Sequence, residues 1–305
     1  MALPTEILMQ VDQVTLGYTA KAYQAVVSAH MSELRLMLVI YVAMFGIGVL
    51  QGMIPLTLQQ VAKHILKALI IFQLATNWGT FTTFFYNVFT SGPDKLTSAL
   101  LGGNAPTKQL EDVYVVGIEA AQNIFRKAGT FDIAQMLLAL LVIIGTVLMV
   151  GVALFLLVFA KMGLAVLLSI APIFLTFALW KSTQGLFQGW INYLVHYAMI
   201  PVITYAVLGL ALQLIQAPVN EMKAAGENLT MATTTPYLLM GAITTLLCSQ
   251  VLKIAAALGG GITLSAMGVF SNYVTRPSKF IATKAPVAAK QAAKAVSIVK
   301  SKMGK

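Results

Sequence analysis

Three histidines, one cysteine and a short glycine run are the residues that could carry chemistry, and their spacing decides whether they do. His30, His64 and His196 stand far apart, with no His-Glu-x-x-His pattern and no acid at ligand spacing, so they read as packed or interfacial side chains. Cys248 is the one cysteine in the chain, which excludes an internal disulfide framework and a cysteine-based metal site. The run Gly259–Gly261 lacks the Gly-Lys-Ser/Thr ending of a phosphate-binding loop. It reads instead as a hinge or a close helix contact. The expectation is therefore no enzyme activity, no cofactor and no metal, with any energy supplied by a partner.

Charge offers a second place to look. Lys67, Lys161, Lys181 and Lys253 lie in or beside apolar runs. Ionisable groups inside a membrane segment mark transport paths, but these four have no acid beside them in the sequence. The expected role is to mark helix ends by reaching to the headgroups. Lys253 sits well inside its segment, so it either ends a span early or faces a wet interior.

The elements that carry these residues follow from composition. The chain has 305 residues, 58% hydrophobic and 10% charged, with a mean hydropathy of +0.83. Soluble domains carry roughly 25% charged residues, so this chain lacks the ionic surface to stay in water. Its apolar residues come in long runs, and about 20 in a row suffice to cross a bilayer. The fold class expected is an all-α, polytopic helical membrane protein. The N-terminus, MALPTEILMQVDQV, has no basic region leading into an apolar core and a small-residue cleavage site. The first span is thus expected to serve as its own insertion signal.

Five regions are expected along the chain. Residues 1–35 space Ile7, Val11, Val14 and Tyr18 at helical intervals between Glu6, Asp12 and Lys21, as an amphipathic helix lying on a surface does. Residues 36–89 form a first membrane hairpin, with apolar segments at 36–55 and 65–89. Residues 90–132 hold five of the ten acids and the turn signals SGPDKL and GGNAPT, with one helix expected inside, over VYVVGIEAAQNIF. Residues 133–265 form a cluster of membrane helices. The run from Ile133 to Trp180 is far too long for one span, so a break is expected at Lys161–Gly163 and a kink at Pro172. Further candidates follow at 191–215 and 236–258. Residues 266–305 are a basic tail carrying Arg276, Lys279, Lys284, Lys290, Lys294, Lys300, Lys302 and Lys305, with no acid after Glu227. Basic residues flanking spans stay in the cytoplasm, which places the tail inside. Five or six spans fit this pattern, with the N-terminus outside or inside accordingly.

The stretch APIFLTFALWKSTQGLFQGWINYLVHYAMIPV (171–202) carries more specific information. Trp180 and Trp190 flank the polar reversal Lys181-Ser182-Thr183-Gln184, which suits a hairpin pinned at a membrane interface by its indoles. The stretch resembles the signature region of the TrbL-like (VirB-six type) family of type IV secretion and conjugation systems. There an Ala/Gly-Pro-apolar helix ends in an aromatic residue, followed by Lys/Arg-Thr, Phe-x-x-Trp and another apolar helix. The matching positions are Ala171, Pro172, Phe174, Trp180, Lys181, Thr183, Phe187, Gly189 and Trp190. The motif covers about 30 residues; the order of segments is similar over most of the chain.

What the resemblance implies is a non-enzymatic inner-membrane channel or platform subunit that supports pilus or stalk assembly and transfer of relaxase-bound single-stranded DNA. It implies a homo-oligomer, with contacts to the minor pilin or stalk subunit, bitopic scaffold subunits and cytoplasmic ATPases. It also implies a periplasmic 90–132 segment, which needs an odd number of crossings after Asp132. A small-solute or ion transporter, or a membrane scaffold that moves nothing, are the other function classes the composition admits. For the tail, Tyr273 and Phe280 are too few aromatics for a base-stacking channel. Lipid anchoring or partner docking is the expected use of its lysines, not reading of nucleic acid.

Overall fold

Apolar runs in lipid must satisfy their backbone internally, and helices do so residue by residue. The computed structural model describes residues 3–53, 57–103, 105–127, 133–225 and 231–261, and every regular element among them is helical. In order these are α1 (Leu3–Ala29), α2 (Met31–Leu50), α3 (Leu58–Thr76), α4 (Trp78–Phe81), a π-helical turn (Thr82–Tyr86), α5 (Asn87–Leu100), α6 (Pro106–Lys127), α7 (Ile133–Ser169), α8 (Ala171–Phe177), α9 (Gln184–Ala225) and α10 (Met231–Gly261). The chain divides at Gly259–Gly260 into two units. The basic tail falls in the second, outside the described residues.

Four helical stretches are long and apolar enough to cross a membrane: Met31–Leu50, Ile133–Ser169, Gln184–Met222 and Met231–Gly260. The chain is an all-α multi-pass membrane protein, with fewer such helices among the described residues than the five or six expected. Two local events account for the difference. The apolar segment 65–89 is not one helix, because Asn77 ends α3 and caps α4, its Oδ1 accepting from the Thr80 N–H at 2.9 Å. The run after Ile133 does not break at Lys161–Gly163. It continues as α7 for 37 residues, about 55 Å long at 1.5 Å per residue. The break comes at Ile170, just before Pro172, whose ring cannot continue the hydrogen-bonded ladder and sits in the first turn of α8.

Why α7 passes through the expected break is a matter of partners. Lys161 forms an ion pair with Asp12 of α1, so its charge is met by a neighbouring helix at the surface and does not mark a helix end. Gly163 is a close-approach position: a Cβ there would lie under 3.0 Å from three ring atoms of Tyr197 in α9. The run at Gly259 is likewise a contact and no hinge at that point, since a Cβ on Gly259 would sit 2.9 Å from the Asn192 carbonyl and the His196 Cβ. Lys253 does not end α10 and lies exposed on it.

Around α7 and α9 the remaining elements gather into three apolar clusters. One joins Leu8 of α1, the buried face of α6 (Leu110, Val113, Ile124), the first half of α7, the second half of α9 and Tyr237 of α10. The second joins Tyr23, Tyr41, Ile71, Phe81, Leu168, Leu175, Trp190 and Leu194. The third seats Cys248, Val251 and Ala255 of α10 on Leu156, Ala160 and Ile200. The helix expected within 90–132 is α6, and its apolar face lies against α7 and α9, whereas SGPDKL, expected as a turn, is helical and lies inside α5 with Pro93 buried. Between helices in lipid, close packing and hydrogen bonds hold the bundle more than water exclusion does. Thr146 on α7 and Tyr237 on α10 share one such bond at 2.6 Å.

Helix α1 runs parallel to α7. Asp12 meets Lys161, and seven residues on, the Thr19 hydroxyl donates to the Ala165 carbonyl at 3.4 Å. Tyr23 then donates to the Leu74 carbonyl of α3 at 2.7 Å. The N-terminal segment is thus packed along the bundle, with Glu6, Gln10, Gln13 and Lys21 left exposed.

Candidate assembly site at the α8–α9 hairpin

Residues 171–190 fold as a short helix, a reversal and the start of a long helix, and each step has a local cause. α7 stops before Pro172, leaving the carbonyls of its last turn in need of donors. Two side chains supply them: Ser169 Oγ donates to the Val166 carbonyl at 2.8 Å, and Trp190 Nε1 donates to the Leu167 carbonyl at 3.0 Å. At the far end of α8, Thr183 Oγ1 donates to the Phe177 carbonyl at 2.7 Å and lies 3.4 Å from that of Trp180. Thr183 then opens α9, its carbonyl accepting from Leu186 and Phe187. Lys67 Nζ reaches across from α3 to the Leu179 carbonyl at 3.2 Å, a cation at the negative end of α8.

The two tryptophans do different things. Trp190 does not sit in an aromatic belt; it is 3% exposed and stands at the centre of the hairpin cluster. Its ring stacks on Phe85 at 5.4 Å and 3°, and on Phe174 at 5.7 Å and 12°, with Phe187 tilted against it at 5.9 Å. Trp180 is half-buried and meets Tyr41 of α2 edge-on at 6.2 Å. The Tyr41 hydroxyl shares a 2.7 Å hydrogen bond with His64 Nδ1 of α3. Through these contacts the α2–α3 pair is fastened to the hairpin.

Of the motif positions, Ala171, Pro172, Phe174, Thr183, Phe187 and Trp190 form the inner frame. Gly189 has open space where a Cβ would be, and nothing in the structure explains its being glycine. Lys181, Ser182, Gln184, Gly185 and Leu186 are exposed, so the outer surface of the reversal is polar with one apolar tip. The reversal is held from its inner side and open on its outer side. The tail lysines and Arg276, expected as a second functional region, lie outside the described residues.

Sequence reasoning missed three participants. Phe85, on the π-helical turn, supplies the most parallel face of the Trp190 stack, and no local pattern announces it. Lys67 was visible as a charge but not as a donor to Leu179, which is 112 residues away. Asp12 was read as one polar position on a surface helix, whereas it is the acid that answers Lys161.

The model of the TrbL/VirB6 plasmid conjugal transfer protein family matches residues 38–251, from α2 through α10 and including the whole hairpin. A type IV secretion system protein VirB6 from Bartonella henselae is 23% identical over 182 residues, covering 58% of this chain and 56% of that protein. Its counterpart from Bartonella quintana is 21% identical over 182 residues with the same coverage. An uncharacterized protein of Rickettsia felis is 28% identical over 182 residues, 54% of this chain and 20% of the relative. The chain spans little more than half the length of the Bartonella proteins and a fifth of the Rickettsia protein. With the family match extending over more than two thirds of its residues and across the hairpin that carries the motif, the chain belongs to the TrbL/VirB6 plasmid conjugal transfer protein family.

Proposed function

We propose that the protein is a non-enzymatic inner-membrane subunit of a type IV secretion apparatus of a Gram-negative bacterium. In this reading it forms a homo-oligomeric platform that supports pilus or stalk assembly and the transfer of relaxase-bound single-stranded DNA. The observation that carries it is the family match over residues 38–251. The similarity to the type IV secretion system proteins VirB6 of the two Bartonella species supports the secretion assignment. The exposed turn Lys181–Leu186 on a braced hairpin is the surface offered to neighbouring subunits, among them the minor pilin, the bitopic scaffold proteins and the cytoplasmic ATPases.

Orientation follows from charge and count. A cytoplasmic basic tail obeys the bias of Lys and Arg toward that side. Three long apolar helices follow Asp132, namely α7, α9 and α10. Three crossings ending inside put residues 90–132 in the periplasm and the α8–α9 reversal, with Lys181, in the cytoplasm. The tail then lies at the inner leaflet, where its lysines bind anionic lipid or an acidic partner face.

The test uses the native secretion system. Deletion of the gene should abolish conjugative transfer, and complementation with Lys181→Glu/Leu186→Asp should give normal membrane levels but fewer subunit crosslinks and reduced transfer. A periplasm-only reporter inserted near Gly103 should be active, and a cytoplasm-only reporter after Lys305 should be active. Transfer that is indifferent to the deletion would remove the function, and a cytoplasmic Gly103 would remove the orientation.

A further inference from the structure

The hairpin is not the only built feature. Between α1, the π-helical turn, α5, α7 and α9 lies a cavity of about 380 Å³ whose lining includes Asp12, Asp94, Lys161, Asn87, Thr90 and Ser91. Its walls are irregular where helices ordinarily are not. One is the π-helical turn Thr82–Tyr86, and Pro93 and Pro201 lie on two others. Departures from the regular helix inside a membrane protein are tolerated where they line a cavity, and π-turns recur at functional positions.

The donor and acceptor inventory of this cavity is lopsided. Thr15, Thr82 and Thr90 line it, and each spends its hydroxyl proton on the carbonyl four residues earlier, at Val11, Trp78 and Tyr86, at distances of 2.7, 2.8 and 3.0 Å. A hydroxyl so used presents only lone pairs to the space beside it. The one cation in the lining, Lys161, is engaged by Asp12. Asp94 has neither a hydrogen bond nor an ion pair among the described residues. Asp12 and Asp94 against Lys161 leave the lining with a net charge of −1, and beside the three threonine oxygens stand Tyr86, Asn87 and Ser91, which can accept as well as donate. The Asp94 side chain still reaches the surface, but neighbouring atoms partly desolvate it and hold its carboxyl above the ordinary aspartate range, with Lys161 opposing that rise and Asp12 adding to it.

We propose that this cavity is a binding site for a small monovalent cation, either an alkali ion or a primary ammonium group, with Asp94 as its counter-charge and the threonine oxygens as neutral ligands. An anion would enter a lining of net negative charge, and a divalent metal would find a single free carboxylate where its charge calls for more. The volume leaves room for a partly hydrated ion, since a water takes about 30 Å³ in the liquid. The site is separate from the hairpin and does not depend on the secretion reading.

Ligand binding to the folded state raises apparent stability in proportion to the logarithm of occupancy. The full-length protein in detergent is therefore heated in sodium, potassium and methylammonium chloride against N-methyl-D-glucamine chloride at one ionic strength. At least one small cation should raise the Tm of the wild type by roughly 3 °C or more, and none should raise that of Asp94→Asn. A response to sodium or potassium assigns the site to an alkali ion; a response to methylammonium alone assigns it to an amine. Should Asp94→Asn fail to fold, Thr90→Val removes one acceptor oxygen at nearly constant shape and should at least halve the shift. No cation-specific shift in the wild type, or an equal shift in the variants, overturns the proposal.

Discussion

Replacing Gly163 with alanine separates two readings of α7 by the sign of the effect. A mid-helix glycine costs about 0.8–1 kcal/mol relative to alanine, so at a free hinge the substitution stabilises by that amount. In this structure the added Cβ would lie under 3.0 Å from three ring atoms of Tyr197. That ring cannot swing away freely, being held by Phe159 at 5.5 Å and His196 at 5.1 Å. Overpacking of this kind costs about 1–3 kcal/mol, which leaves a net loss of roughly 1 kcal/mol once the helix gain of about 1 is subtracted. In a Tyr197→Ala background the obstacle is gone and Gly163→Ala should stabilise by about 0.5–1 kcal/mol. The four proteins of the cycle are compared by reversible unfolding in mixed micelles, reading the coupling term directly. Stabilisation of equal size in both backgrounds would refute the close-contact reasoning and restore Lys161–Gly163 as a joint.

Three further outcomes are expected. Trp190→Ala should cost about 3–5 kcal/mol, several times the cost of Trp180→Ala, because only Trp190 is enclosed and hydrogen-bonded; similar losses in the same unfolding measurement would mean both are belt residues. The cycle Asp12→Asn and Lys161→Met should show coupling of about 0.5–3 kcal/mol, and additive effects would deny the pair any role in holding α1. In N-methyl-D-glucamine buffer Asp94→Asn should be more stable than wild type at pH 7–8. Because partial desolvation raises the folded-state pKa of Asp94, the penalty is present above that pKa and fades as pH falls toward the unfolded value near 4, so the two stability curves should converge on acidification. Parallel curves would show that Asp94 is not desolvated in the fold.

Much of the architecture was legible along the chain, and the failures share one physical cause. Pro172 announced an interruption, a kink in expectation and the end of α7 in the structure, because its effect is local, and residues 113–125 announced the helix that became α6. Lys161 was misread because its meaning lies in Asp12, which is 149 residues away. Trp190 was misread because an indole beside a polar turn has the same composition whether it faces lipid headgroups or a Phe85–Phe174 sandwich. The frame of the hairpin was thus readable as a motif, while its inward direction required the π-helical turn and α3 to be in place. The cavity at Asp94 left no trace in the sequence, since five separate elements build it.

The parallel seating of α1 on α7 has a consequence for how the protein is made. The ribosome delivers Asp12 first and Lys161 149 residues later, a delay of roughly 7–30 s at ordinary elongation rates. Throughout that interval α1 lacks the α7 groove, with contacts at Leu74, Trp78 and Phe81 open only to its C-terminal end, while α2 behind it is already apolar enough to enter the bilayer. The first helix can seat along its length only when its much younger partner arrives. Biogenesis is thereby ordered, with insertion preceding closure. A bulky or tightly folding fusion at the N-terminus would then be tolerated by the insertion machinery yet block the last step, leaving a protein that is threaded through the membrane and still unfinished.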